Sequence, residues 1–581
     1  MAKILYVCFR EPYVPNEIET EIVSIMNNIT PDNIVPKPPK TFYEKGTAYG
    51  IMNHVSSIRE HEGSVAMGTL YEPADDWWMP LKSFPNGSFA LFRQNSENIE
   101  LVTDIVASRT IWYYKGEKMF VASTSQRAIV MLLKDFRFNK AVIPWILSTG
   151  SLGPDHSWDL RIRQVPQDSS IILDRKSWNL QLSSRKSFDN LKNTDDQDFR
   201  GLLLKSMVST FESIKLDFKK WVLPLSGGYD SRAILVMLNY VKQNTRDLKT
   251  ITWGLKDRRK KKGNDAYVAK KLADHFGISN KYYTTDRSLE PIGTIFHRFF
   301  VCGEGRIDNI GGYMDGFKMW KSLYEDGIEG IIRGDVGFTS KPAENVHLVR
   351  FRQGLTLCSD YSNLKNYQQF GIPKQVIPEQ LNKKEIEDLR QWRDRIYQEF
   401  RIPVVLAALS DLKLSYVELI NPLLSREIVT QGRRLPQKFK DEKRLFKEIT
   451  SDVSPHIEIA RVGATEDLGA LFRSKEVIDL FQMEFKKPSI ARLIHEEFLK
   501  NISTKLNFKD KPNTIRRQVK IYLKRFLPNW VTSKFLLINS SSPSINFNLL
   551  AFRIYTISQM NEMLTKDAVF LDERRKYNKV I

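Results

Sequence analysis

One stretch constrains the fold more than any other: Leu223-Pro224-Leu225-Ser226-Gly227-Gly228-Tyr229-Asp230-Ser231-Arg232. The apolar run Trp221–Leu225 reads as a buried strand, and the helix opened by Asp230 carries Ile234, Leu235, Leu238 and Val241 on one face. A strand that turns through adjacent glycines straight into a helix begins a βα unit. The pattern repeats. Leu248–Leu255 is a second strand, and Asn264 and Asp265 can cap a helix with Val268, Ala269, Leu272, Ala273 and Phe276 on its apolar face, closed by Gly277. Lys281–Thr285 and Ile328–Arg333 supply further strands around another helix. Repeated βα units imply an α/β fold with a parallel, doubly wound sheet.

A chain of 581 residues is too long for one hydrophobic core. Residues 1–185 read as a β-rich (α+β) domain, with Ser64–Leu70, Ser88–Phe92, Ile99–Asp104, Thr110–Tyr114 and Met119–Ser123 as strands. Asn86-Gly87 and Lys115-Gly116-Glu117 read as turns between them. Polar residues across Leu182–Asp198 place a linker at 186–198. The βα domain then spans 199–470, mainly helical from about Asn382, and 471–581 form a helical, basic C-terminal region.

Composition narrows the classes. A hydrophobic fraction of 42% supports globular folding. Cys8, Cys302 and Cys358 have no metal-type spacing and point to a reducing compartment. With no signal-peptide core and no membrane-spanning run, the expected location is cytoplasmic. The net charge of +20 raises nucleic acid as a partner. Much of the excess lies in Asp257–Lys262 and in Lys511–Lys534, where Arg516, Arg517, Lys520, Lys524 and Arg525 surround apolar residues at helical spacing. That stretch offers weak binding to anionic lipid, RNA or an acidic peptide, although a packed helix with a solvated basic face is the commoner arrangement. Nucleic acid is not the expected substrate, and a dimer is compatible with the sequence.

The chemistry follows from the glycine turn. Unpaired N–H groups and the helix dipole at its end favour an anion, and Gly227 and Gly228 let phosphate oxygens approach the backbone. Ser226 and Ser231 add hydroxyl donors, and Asp230 suits the magnesium that accompanies ATP. The GK[ST] of a Walker loop is missing, so γ-phosphate transfer is not the expected reaction.

Ser226-Gly227-Gly228-Tyr229-Asp230-Ser231 resembles the pyrophosphatase loop of the N-type ATP pyrophosphatases, and the order of later segments resembles the asparagine synthetase family, which includes β-lactam-forming synthetases and lasso-peptide cyclases. The resemblance implies ATP cleavage between the α and β phosphates, an acyl-adenylate, and attack by nitrogen on a small-molecule or peptide carboxylate. It assigns nucleotide binding to Leu225, Ser226, Gly227, Gly228, Asp230, Ser231 and Gly334, and to Trp253-Gly254 at the end of the second strand, which packs on adenine. Tyr416–Leu424 resembles the family's E-x-x-x-P-F-L-D segment, and Lys443–Glu448 its K-x-x-L-R-E motif. Lys443 is thereby the catalytic cation, apt where pyrophosphate departure and a tetrahedral adduct concentrate negative charge.

Ile332–Phe338 departs from the family's S-G-E/D-G-x-D-E, with Asp335 standing where there are usually two or three acids. Asp335 is a site residue either as metal ligand beside Asp230 or as general base. Glu304, Asp308 and Asp315 are other acids able to complete the set, each more commonly a surface or capping group. The first region resembles the family's glutamine-hydrolysing domain at Asn86–Leu91, Thr103–Tyr114 and Phe120–Thr124. That activity needs a cysteine as first mature residue. The chain starts Met1-Ala2-Lys3, Cys8 reads as a buried hydrophobe, and the glutamine-binding motif is missing near Met67–Glu72. The expectation is a degenerate amidotransferase of Ntn type and a ligase using ammonia or a substrate amine. Asparagine synthesis from ammonia, a tRNA-modifying pyrophosphatase and a non-catalytic nucleotide-binding scaffold are the alternatives.

Overall fold

Short apolar runs broken by turns give the first region two antiparallel six-stranded sheets. The computed structural model describes residues 3–11, 15–44, 46–71, 75–185, 198–338, 343–355, 367–464, 471–507 and 546–578. The first sheet runs β10-β8-β9-β1-β3-β2, from β1 (Ile4–Phe9), β2 (Lys40–Glu44), β3 (Thr47–Ile51), β8 (Trp112–Lys115), β9 (Met119–Ser123) and β10 (Arg163–Gln164). The second runs β12-β11-β7-β6-β5-β4, from β4 (Arg59–His61), β5 (Ser64–Tyr71), β6 (Asn86–Gln94), β7 (Asn98–Thr103), β11 (Ser169–Asp174) and β12 (Leu180–Ser184).

Side-chain alternation decides which faces meet. Tyr6 of β1 stacks on Phe92 of β6, ring centres 5.6 Å apart, and joins the sheets. On the other face of the first sheet Leu5 pairs with Gly50, and a Cβ on Gly50 would lie 2.2 Å from Ile22 Cγ2. Glycine there lets α1 (Ile18–Asn28) lie close on the sheet. The turn at Lys115–Glu117 forms, with Gly116 N–H donating to Met119 O at 2.9 Å. Asn86-Gly87 does not turn. It opens β6, paired with Tyr71 and Leu70, because the cross-strand ladder outweighs the local turn preference. Of the polar stretch, Leu182 to Ser184 belong to β12, ahead of the expected linker at 186–198. Residues 186–197 lie outside the described residues, and Asp198 caps α4 (Phe199–Ser213).

The second region holds a parallel sheet of β13 (Trp221–Pro224), β14 (Lys249–Gly254), β15 (Ser279–Thr284), β16 (Gly330–Ile332) and β17 (Glu418–Ile420). Its order is β15-β14-β13-β16-β17, with every neighbouring pair parallel. The chain steps outward from β13 to β15, then returns to add β16 on the opposite side. Between them run α5 (Tyr229–Tyr240), α6 (Asp265–His275), α7 (Ile292–Gly303) and α8 (Lys318–Glu325). Helix α5 starts at Tyr229 with Gly228 as its cap, one residue earlier than Asp230 suggests. Past Asn382 the chain is largely helical, but Glu418–Ile420 forms an edge strand too short to show a period.

Buried ion pairs join the regions. Lys3 Nζ lies 3.1 Å from Glu304 Oε1, whose Oε2 accepts from Gln126 N–H at 2.8 Å. Arg109 pairs with Glu418, and Arg306, itself paired with Asp411, donates across to the Thr110 hydroxyl at 2.8 Å. The helix Phe547–Asn578 ties itself to α2 (Gln126–Leu133) through Arg127 and Asp567 at 2.8 Å, and to α3 (Val142–Thr149) through Arg553, which donates to Leu147 O at 2.8 Å. Cys358 and the basic stretch containing Arg516, Arg517, Lys520, Lys524 and Arg525 lie outside the described residues. No helix among the described residues is long and apolar enough to cross a membrane.

Candidate active site

Ligands of open parallel sheets bind beyond the carboxyl ends of the strands, where the strand order reverses. Here that point lies between β13 and β16, and a cavity of about 420 Å³ opens there. Ser226, Asp230, Ser231, Trp253, Gly334 and Asp335 line it. Leu225, Gly227, Gly228 and Gly254 form the adjoining loop and strand end rather than its wall, and Lys443 reaches it through Asp230.

The loop is held from several sides. Leu225 N–H donates to Ile251 O at 2.8 Å, and the Thr252 hydroxyl donates to Leu225 O at 2.7 Å. Ser226 N–H donates to Ser231 Oγ at 3.0 Å, and Gly228 N–H to Ser226 Oγ at 3.3 Å. Gly227 N–H donates to Asp265 Oδ1 at 3.1 Å. Asn264, not Asp265, is the cap of α6, accepting from Tyr267 N–H at 2.9 Å. Asp265 instead stands behind the loop, its pKa raised by burial against the pull of Gly227 N–H.

A strap that no sequence signal marked, Ile457–Ala464, crosses the loop. Ala460 N–H donates to Gly227 O at 3.0 Å and Leu255 N–H to Ala464 O at 2.9 Å. Arg232 fastens the strap, donating to Ile457 O at 2.7 Å. A Cβ on Gly227 would fall 2.3 Å from Ala460 Cβ. That position is glycine because the strap lies on it.

Lys443 Nζ bonds both carboxylate oxygens of Asp230, at 2.9 and 2.7 Å. Glu442 and Lys443 both have left-handed backbones, with φ of 53° and 59°. Such strain costs about 1–3 kcal/mol per residue and persists where surrounding structure enforces it. The strained pair immediately precedes the helix Arg444–Asp452 and presents the ammonium to α5.

The adjoining wall comes from the segment after β16. A Cβ on Gly334 would lie 2.9 Å from Asp230 C and Ser231 N, so only glycine lets this segment pass the first turn of α5. Arg333 grips Asp335 as a fork, Nη2 to Oδ1 at 2.9 Å and Nε to Oδ2 at 2.9 Å. Burial opposes the guanidinium charge, but Asp335 outweighs it and raises the Arg333 pKa. Lys413, on the helix Ala407–Leu414, also lines the cavity. Burial, with Arg333 nearby, holds its pKa well below the ordinary lysine range despite Asp335 and Asp411. Trp253 meets Trp320 edge-on, ring centres 5.9 Å apart.

Arg333, Lys413, Tyr313 and Trp320 are among the lining residues that sequence reading missed. Only Arg333 had a signal, its place beside Gly334. None of Glu304, Asp308 and Asp315 lines the cavity. Glu304 and Asp308 are ion-paired rather than free surface acids, Asp308 with Arg553 at 2.8 Å. Asp315 is a cap, accepting from Met319 N–H at 3.0 Å. Among the described residues no cluster of three or more His, Cys, Asp or Glu side chains could hold a metal. The donor set here is Asp230 and Asp335, which suits magnesium brought in on nucleotide phosphates, an ion commonly bound through one or two carboxylates.

No curated protein matches the chain. Residues 220–299 match the family model for asparagine synthase. That span runs from β13 into α7 and includes the glycine loop, so it supports the asparagine synthase family, and with it an ATP-dependent amide-forming ligase in general, for the part of the chain that builds one wall of the cavity.

Proposed function

We propose that the chain is an ATP-dependent ligase of asparagine synthetase type, which activates a carboxylate with release of AMP and pyrophosphate and joins it to ammonia or a substrate amine. The single observation that carries this reading is the Lys443–Asp230 pair at the start of α5, with Asp230 lining the same cavity as Arg333 and Asp335. The parallel sheet then serves as a doubly wound pyrophosphatase domain, and the antiparallel sheets as a degenerate Ntn-type amidotransferase domain.

In this mechanism the phosphates lie at the start of α5, where Ser226, Ser231 and the loop amides exchange internal hydrogen bonds for phosphate oxygens. Lys443 transfers its ammonium from Asp230 to the departing pyrophosphate, a preorganised charge placed where negative charge develops. Asp230 and Asp335 would hold magnesium, which supplies neutralisation of the phosphates when bound. Arg333 stays aligned by Asp335 and faces the reacting carboxyl group. Trp253 offers the face against which adenine packs.

The nitrogen source follows from Cys8. It is buried in β1 between β3 and β9. Burial raises its thiol pKa, the reverse of an activated nucleophile. Nitrogen therefore arrives as ammonia or on the substrate. The test is analysis of nucleotide products with a panel of acids and amines. AMP with pyrophosphate is expected, whereas ADP with phosphate would sink the assignment.

A further inference from the structure

Among the described residues, Lys413 is a buried lysine without an acid of its own. It is 7% exposed, and it lines the cavity beneath Tyr313 and Trp320, whose ring centres each lie 5.8 Å from its ammonium. Its hydrogen bond runs back along its own helix, to Leu409 O at 2.6 Å. An ammonium has more donors than one carbonyl uses. Neither nearby acid bonds it: Asp335 gives both oxygens to Arg333, and Asp411 pairs with Arg306. A buried cation without a counter-charge is unfavourable, and a ligand that brings negative charge removes the penalty. The phosphate end of the cavity already has Ser226, Ser231 and Lys443.

We propose that Lys413, with Arg333 beside it in the same cavity, receives the carboxylate of the acid to be activated and is the residue that makes an anionic acyl substrate obligatory. This rests on the ligase reading above. Lys413→Met keeps the length of the side chain and removes the charge. Calorimetric titration of the full-length protein with a non-hydrolysable ATP analogue, and separately with L-aspartate, L-glutamate and an N-acetylated amino acid, reads the two ligands apart.

In Lys413→Met the nucleotide Kd should stay within about twofold. The best carboxylate should weaken by roughly 10- to 100-fold, the value of a charge-assisted hydrogen bond, and Lys413→Arg should recover part of it. The melting temperature of Lys413→Met should equal or exceed that of the wild type, because an uncompensated buried charge is removed. A lowered melting temperature with unchanged carboxylate affinity makes the lysine structural and overturns the proposal. So does loss of nucleotide affinity with carboxylate affinity intact, which reassigns the ammonium to a phosphate. Wild-type protein that binds none of these carboxylates at millimolar concentration overturns it too. Because these are binding measurements, a failure to form AMP would count against the ligase reading alone.

Discussion

Asp104 and Asp230 show how differently the two regions use an acid. Asp104, just after β7, is buried and accepts from Phe89, Val106 and Ser108 N–H at 3.0–3.1 Å. Burial raises its pKa even against those bonds, and the group serves to fix a turn. Asp230, at the first turn of α5, is partly exposed at a cavity, and its partner is a lysine on a strained backbone. A polar group held by fixed backbone amides and a buried neighbouring hydroxyl, as Asp104 is by Ser108, is structural. One whose partner is a movable side chain at a strand-order reversal can exchange that partner for a ligand.

The strongest way to break this contrast is Asp230→Asn. It should abolish release of AMP and pyrophosphate while the melting temperature barely changes. Unfolding of that variant would put Asp230 in the same class as Asp104. Glu304→Gln probes the opposite kind of site. It leaves Lys3 buried without a charge partner, so it should lower stability by about 3–5 kcal/mol in denaturant titrations.

Glu304 also carries a pH signature. Burial alone would raise its pKa, but Lys3 and then Ser125 and Gln126 N–H outweigh burial and hold it below the ordinary glutamate value. A depressed folded pKa means this stabilisation is full above the unfolded-state value and is lost as pH falls through the folded value. Acid titration should therefore erode wild-type stability more steeply than that of Glu304→Gln, and parallel curves would remove the pair from the interface account.

Lys443→Ala should slow turnover by roughly 100- to 1,000-fold, the usual loss for one preorganised charge donor, with the fold intact. Near-normal turnover would mean that the lysine only neutralises Asp230. The smallest effect is expected from Cys8→Ala, about 1 kcal/mol of stability with no change in activity. Glutamate release from glutamine that depends on Cys8 would give the first region a site of its own.

Legibility followed distance along the chain. The glycine loop, the Asn264 cap and the strands from β13 to β16 were readable because they are set by neighbouring residues: apolar spacing, a capping amide, a glycine pair. The turn expected at Asn86-Gly87 failed because strand pairing with Leu70 and Tyr71 overrode a local preference. The place of Asp335 after the fourth strand was legible, but its hold by Arg333 was not, since an arginine two positions away carries no period or spacing that reveals a fork.

By itself the sequence determined that a strand must turn into a helix at Ser226–Ser231, because backbone geometry and apolar periodicity are local. Only the tertiary structure decided that Lys443 meets Asp230 from 213 residues away, that the strap at 457–464 covers the loop, and that Lys413 is buried in the cavity wall. Those outcomes depend on which surfaces exclude water together. Packing sets that across the whole fold, and no window of sequence contains it.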